Sequence, residues 1–172
     1  MESNKTVQKN SVDTLSSPDT HTILIQILHL ALAPLPLEKK TGRILDHLFA
    51  QSSLFLGPKA ALFLSDESTQ QLQVFLTRGF AKESEIPCSQ IRFGTCHCGL
   101  VAKRGKAKYF SDPPPLKPKN RGDAFFSGNY CLPIVKDGNT LGIMAIYTRP
   151  GHNPNPELTN LLNAVAGILA GI

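Results

Sequence analysis

Residues 129–135, NYCLPIV, and 141–147, LGIMAIY, are two short apolar runs separated by Lys136, Asp137, Gly138, Asn139 and Thr140. An Asp-Gly pair between two such runs supplies the residues that accept positive φ in a tight hairpin turn, so the two segments are expected to pair antiparallel. A second pair follows the same logic. The run AALFL at Ala60 to Leu64 has little alternation, as in a strand covered on both faces. After the turn SDESTQ, Leu72, Val74 and Leu76 alternate with Gln71, Gln73 and Thr77, the period of a half-buried strand.

Helical patterns flank these strands. From His21 to Leu35, residues Leu24, Leu28, Ala31, Leu32 and Leu35 keep helical spacing until Pro34 and Pro36 stop it. A second helix over 37–50 gathers Ile44, Leu45, Leu48 and Phe49. Near the end, Asn155 is a good N-cap, Pro156 suits the first helical position and Glu157 complements the helix dipole. Leu158, Leu161, Val165, Ile168 and Ile172 then step by three and four, and Leu162 and Leu169 add a second stripe. Either one stripe packs on the domain while the other meets a partner, or both belong to one wide buried face. The pattern still runs at Ile172, so a domain within a longer protein is expected. With a short strand through Ala107 to Phe110, the order is an α+β plan: helices packed on a largely antiparallel sheet.

A chain of 172 residues that is 41% hydrophobic suits one core. Residues 1–20 are polar and without periodicity, so they are expected to be a flexible lead-in to a domain over 21–172. PPPLKPKNRGD is too rich in proline for a helix or a central strand and is expected to be a long surface loop. No apolar run approaches the roughly 18–20 residues that cross a bilayer, and the start lacks a signal-peptide pattern. A cytoplasmic location and no membrane insertion are expected, and in a reducing compartment the four cysteines are not permanent disulfides. The net charge of +5 is concentrated in Lys103, Arg104, Lys106, Lys108, Lys117, Lys119 and Arg121, a lip suited to an anionic ligand or an acidic surface. Tyr109, Phe110, Phe125 and Phe126 form no spaced stacking series beside it, so nucleic acid is not an expected partner.

The ordered segments AALFLSDE, LQVFLTRGF, IRFGTCHCGLVA, NYCLPI and LGIMAIY, followed by the terminal helix, resemble a GAF domain over Thr22 to Ile172. Within that family the chain looks most like a subgroup of bacterial sensor histidine kinases with a Cys-x-Cys-Gly motif, here Cys96 to Gly99, and a Tyr-Cys-x-Pro-Ile motif, here Tyr130 to Ile134. Asn129 departs from that pattern, in which histidine often precedes the tyrosine. The resemblance implies an antiparallel sheet of about six strands, with the N- and C-terminal helices on one face and a ligand pocket with loops and short helices on the other. Phe93, Gly94, Thr95, His97, Gly99, Asp112, Asp123 and Tyr130 would line that pocket. It also implies a homodimer through the terminal helices and a sensory rather than enzymatic role, in which a small-molecule or redox signal is relayed to an output such as a histidine kinase.

The cysteines leave three readings open. Convergence of Cys88, Cys96, Cys98 and Cys131 would suit tetrahedral zinc or an iron–sulfur cluster. A thiol switch is the second: Cys96 and Cys98 at a helix start, near Arg92 and Lys103, would bridge to Cys131 on oxidation. The third is packing, with small buried side chains filling a reduced core. Covalent haem attachment through Cys-x-x-Cys-His is excluded because that motif is absent. Cys96-His97 resembles a bilin attachment dipeptide, but in different surroundings. The enzymatic alternative is a GAF-type free methionine sulfoxide reductase, which would use Cys98 and a second cysteine. Against it, no cysteine lies between Phe110 and Asn129.

Overall fold

The computed structural model describes residues 19–80, 90–111 and 128–172. Two helices open the described chain, α1 (Thr20–Leu32) and α2 (Leu37–Ala50). The carboxylate of Asp19 starts α1 by accepting a hydrogen bond from the Thr22 amide at 2.8 Å. Pro34 and Pro36 separate the two helices, as expected from their missing amide protons. A 3-10 turn, Ser52–Leu54, leads into strand β1 (Leu56–Asp66), followed by β2 (Gln71–Arg78), β3 (Gln90–Arg92), helix α3 (Cys96–Arg104) and β4 (Lys108–Phe110). Strands β5 (Gly128–Lys136) and β6 (Asn139–Thr148) and helix α4 (Pro156–Ala170) complete the order. Asn155 caps α4 as its sequence predicts, accepting from the Leu158 amide at 2.8 Å.

The six strands form one sheet in the order β3-β2-β1-β6-β5-β4, with every neighbouring pair antiparallel. The β5–β6 hairpin closes at Lys136 opposite Asn139, and both turn residues are left-handed, Asp137 at φ 51° and Gly138 at φ 83°. Two positive values in succession are those of a type I′ turn, whose twist matches that of the strands it joins. The antiparallel α+β architecture inferred from the sequence is the one found, apart from the short strand β3, which carried no separate signal.

Alternation along the strands divides the interior into two cores. Ala60, Leu62, Tyr130, Leu132, Ile134, Met144 and Ile146 point to the layer made by α1, α2 and α4. Ala61, Phe63, Cys131, Ile143 and Ala145 point the other way, against α3. Each fully buried aliphatic side chain of this kind contributes about 1.5–3 kcal/mol. A bulge corrects one expectation: Leu62 pairs with Leu76 but Phe63 with Val74, so Phe75 is the extra residue. Leu76 therefore lies on the helical face, while Leu72 and Val74 lie on the α3 face. The buried side of α1 differs too. Ile23, Ile27 and Ala31 are inside, whereas Leu28 and Leu32 are 44% and 79% exposed. A helix apolar on nearly every side does not specify its own rotation, and the contact with α2 and α4 selects it. On α4 residues of both stripes pack inward together: Leu158, Leu161, Leu162, Val165 and Leu169 are buried, whereas Ile168 is half-buried and Ile172, past the helix end, is exposed.

Two glycines predict opposite outcomes for the same change. At Gly142 an added Cβ would lie 2.2 Å from the Phe63 carbonyl oxygen of the adjacent strand, whereas at Gly167, within α4, it would meet nothing within 4 Å. Gly142→Ala is expected to destabilise the domain by about 1–3 kcal/mol through overpacking. Gly167→Ala is expected to stabilise it by about 0.5–1 kcal/mol by removing backbone entropy from the unfolded chain. Denaturant midpoints of the two variants check both signs.

Candidate functional site

The β3–α3 connection is built so that α3 can descend closely onto the sheet. Gly94, at φ 85°, donates its amide proton to the Gly99 carbonyl at 2.7 Å. Thr95 occupies the N-cap position, but its hydroxyl donates to the Arg92 carbonyl at 2.7 Å instead of capping the helix. A Cβ on Gly99 would lie 2.3 Å from that same Arg92 oxygen, so only glycine permits the approach. Cys96 enters the helix at φ 45°, a left-handed conformation that costs a non-glycine residue about 1–3 kcal/mol. The result is that Cys98, in the first turn of α3, is pressed onto β5 with its sulfur 3.5 Å from the sulfur of Cys131. Both residues are buried, and with Cys96 they are thiols rather than disulfide partners.

Asn129 completes the site. It lies two residues before Cys131 on β5 and therefore shares its face. Its amide donates to the Cys131 sulfur at 3.0 Å, and its Oδ1 lies 3.0 Å from His97 Nδ1. Because that oxygen only accepts, His97 must carry a proton on Nδ1, which fixes its tautomer when neutral. The imidazole is held flat against Phe110, with ring centroids 3.8 Å apart and planes 5° from parallel. His97, Asn129, Cys131 and Cys98 thus form one continuous chain of polar contacts. Toward the far end of β6 on this face, Lys59 is only 9% exposed and its ammonium sits 5.1 Å from the Phe80 ring centre. Phe80 in turn meets Tyr147 edge-on at 5.7 Å.

The residues singled out in the sequence are only partly brought together. Phe93 and Cys96 pack beside the core that holds Cys98 and Cys131, and His97 joins them through Asn129. Gly94, Thr95 and Gly99 shape the connection. Tyr130 is a correction: alternation sends it to the helical core, away from the cysteines. Cys88, Asp112 and Asp123 lie outside the described residues. Among the described residues no three His, Cys, Asp or Glu side chains are placed to hold a metal ion. Sequence reasoning missed Asn129 as a functional group, together with Lys59, Phe80, Phe110 and Tyr147. The period-two rule applied to β5 would have found Asn129, since it must share a face with Cys131.

The model of the GAF domain family matches residues 42–172. The chain belongs to the GAF family. Its fold is similar to that of the GAF domain from a phosphoenolpyruvate-protein phosphotransferase of Coxiella burnetii, with 25% identity and a TM-score of 0.72, covering 88% of this chain and 90% of that one. It is also similar to free methionine-R-sulfoxide reductase of Neisseria meningitidis (17% identity, TM-score 0.70, 88% and 86% covered). The corresponding enzyme of Staphylococcus aureus, in complex with substrate, is a further likeness (16% identity, TM-score 0.71, 89% and 94% covered). No curated protein matches the sequence. These likenesses correct one expectation: because the fold is shared with reductases as well as with sensor domains, membership of the GAF family does not make this chain a non-enzyme. Among the described residues no helix is long and apolar enough to cross a membrane.

On the helical face of the GAF sheet, Tyr130 takes part in a second polar cluster. Its hydroxyl lies 3.0 Å from His152 Nε2, and Tyr109 stacks obliquely on it at 4.7 Å. Burial pushes the phenol of Tyr130 up to about 12, with the neighbouring Tyr109 adding to the shift. The phenol therefore stays protonated and donates to Nε2. Burial also lowers the pKa of His152 below its ordinary 6.5, which keeps the imidazole neutral.

Two predictions arise here. Asn129→Ala strands His97 Nδ1 and the Cys131 sulfur, and should cost about 1–3 kcal/mol, read by urea unfolding, with loss of the fixed Nδ1-protonated tautomer in nitrogen NMR. For His152, the folded and unfolded states are both neutral above pH 6.5; below it the unfolded chain takes up the proton first. Stability is then lost as pH falls from 6.5 through the lower folded value. His152→Gln should flatten this part of the stability profile, measured by unfolding midpoints between about pH 7.5 and pH 5.

Proposed function

We propose that this GAF domain is a sensory module of a signal-transduction protein whose signal is the oxidation state of the Cys98–Cys131 pair. One observation carries the reading: two buried sulfurs 3.5 Å apart, one on α3 and one on β5. A disulfide needs about 2.0 Å between sulfurs, so a small settling of α3 suffices. With a peroxide as oxidant, one thiolate attacks the O–O bond and becomes a sulfenic acid as water leaves. The second thiol then displaces the sulfenic oxygen as a second water, forming the S–S bond. Overall two thiols and one peroxide give one disulfide and two waters, and a dithiol reductant reverses the step. The Asn129 amide faces the Cys131 sulfur where charge collects during exchange.

Relay to an output follows the packing. α3 lies against β5 and β6, and β5 carries α4 on its other face. Locking α3 to β5 therefore bears on the helix that closes the domain, which would bias an attached output such as a histidine kinase. The same two sulfurs also fit a second reading as a free methionine sulfoxide reductase. There Cys98 would attack the sulfoxide sulfur, methionine would leave, and Cys131 would resolve the resulting sulfenic acid with loss of water.

The test is peroxide treatment of the reduced protein. Expected are a mass loss of about 2 Da and a Cys98–Cys131 peptide after digestion, both abolished by Cys98→Ser or Cys131→Ser. An unchanged mass, or a disulfide through another cysteine, overturns the pairing. Steady turnover of free methionine-R-sulfoxide with a dithiol reductant moves the assignment to the reductase. Stoichiometric zinc or iron in anaerobically purified protein moves it to a metal centre.

A further inference from the structure

Asn129 stands between a titratable ring and a sulfur. Its Oδ1 lies 3.0 Å from His97 Nδ1 and its Nδ2 donates to the Cys131 sulfur at 3.0 Å, so one planar amide joins the two. Alternation along β5 places Asn129 and Cys131 on the same face, toward α3. At the other end the imidazole is clamped by Phe110, which stacks flat on it and pairs with Asn129 across β4 and β5. His97 is half-buried, and with Nδ1 committed to Asn129 a second proton goes to Nε2. The hydrogen bond to Oδ1 therefore survives the change of charge, because Nδ1 donates in both forms.

The surroundings leave that charge one direction in which to act. Strands β3, β4, β5 and β6 and helix α3 contain no Asp or Glu. Their charged groups near His97 are all basic: Arg92 on β3, Lys103 and Arg104 in the last turn of α3, and Lys108, whose ammonium lies 4.9 Å from the centre of the Phe110 ring. No carboxylate of these elements competes for an imidazolium at His97. The negative charge that it can stabilise there is the one that develops on sulfur.

We infer that His97 is a positioning residue for thiol exchange, and that its protonation, relayed through Asn129, assists departure of the Cys131 sulfur when the disulfide is reduced. The inference rests on the redox reading of the Cys98–Cys131 pair. In reduction a thiolate of the dithiol attacks the Cys98 sulfur, on the less deeply buried residue of the two (8% exposed against 0%). The S–S bond breaks and its electron pair goes to the Cys131 sulfur, which then takes a proton. The second thiol of the reductant attacks the first, releasing Cys98 as a thiol and the reductant as a cyclic disulfide. An imidazolium makes the bond from Nδ1 charge-assisted, which draws electron density toward Oδ1 and makes the Nδ2 proton a stronger donor to the departing sulfur. Histidine side chains change charge between about pH 5 and pH 8, so this assistance grows as pH falls.

The test is reduction of the disulfide form by dithiothreitol, followed in the full chain and in His97→Gln, whose side chain keeps a neutral donor for Asn129. Dividing the two rates at each pH removes the titration of the reductant itself. The wild type is expected to lie within about twofold of the variant at about pH 8 and to be at least about fivefold faster at about pH 5.5. That rise is expected to vanish when both proteins also carry Asn129→Ala. A ratio that does not change with pH, as a purely structural role would give, overturns the inference, and so does a rise that persists undiminished without Asn129. His97→Asn gives the same comparison if the glutamine variant does not fold. When peroxide yields no Cys98–Cys131 disulfide, the redox reading falls and takes this inference with it; when the disulfide forms and the ratio stays flat, this inference falls alone.

Discussion

Pairing of β6 with both β1 and β5 sets everything else in this molecule, because it makes a sheet whose two faces are both covered. Along β6, Met144 and Ile146 go to the helices while Ile143 and Ala145 go to α3, and the neighbouring strands repeat the division in register. A shift of one residue would send each set to the wrong side. The type I′ turn at Asp137-Gly138 opposes that shift at one end, and the close approach of Gly142 to Phe63 opposes it near the same end.

The same alternation gives adjacent residues of β5 unrelated surroundings. Cys131 meets Cys98 and the Asn129 amide, in a setting suited to sulfur chemistry. Tyr130, its neighbour, is buried against Tyr109 and His152, where burial favours the neutral forms of both titratable groups. One strand therefore runs between the thiol pair and the helical layer. A covalent change on one side has a short mechanical path to the other through the backbone that both residues share.

Much of the fold was readable in advance. Both hairpins, helix α2 and the capped start of α4 followed from local periodicity and from residues such as Asn155, Pro156 and Gly138 whose preferences act within a few bonds. The rotation of α1 and the side taken by Leu76 were not readable. The first depends on which of several apolar stripes meets α2 and α4, and the second on a bulge at Phe75 that flips the alternation. The site was legible as residue types: Cys98, Cys131, His97 and Gly99 stood out. Their roles were not, since Gly99 matters through a carbonyl seven residues earlier and Asn129 through two side chains that only the fold delivers.

By itself the amino-acid sequence determined the two hairpins, the flanking helices, the turn chemistry and the supply of thiols, since each depends on backbone preferences and periodicity over a few residues. Tertiary structure alone decided that Cys98 meets Cys131 across thirty-three positions and that Leu76 goes to the helical face. Those outcomes depend on how strands align and how far a helix descends onto them. Packing and hydrogen-bond register settle both over distances along the chain that local patterns do not span.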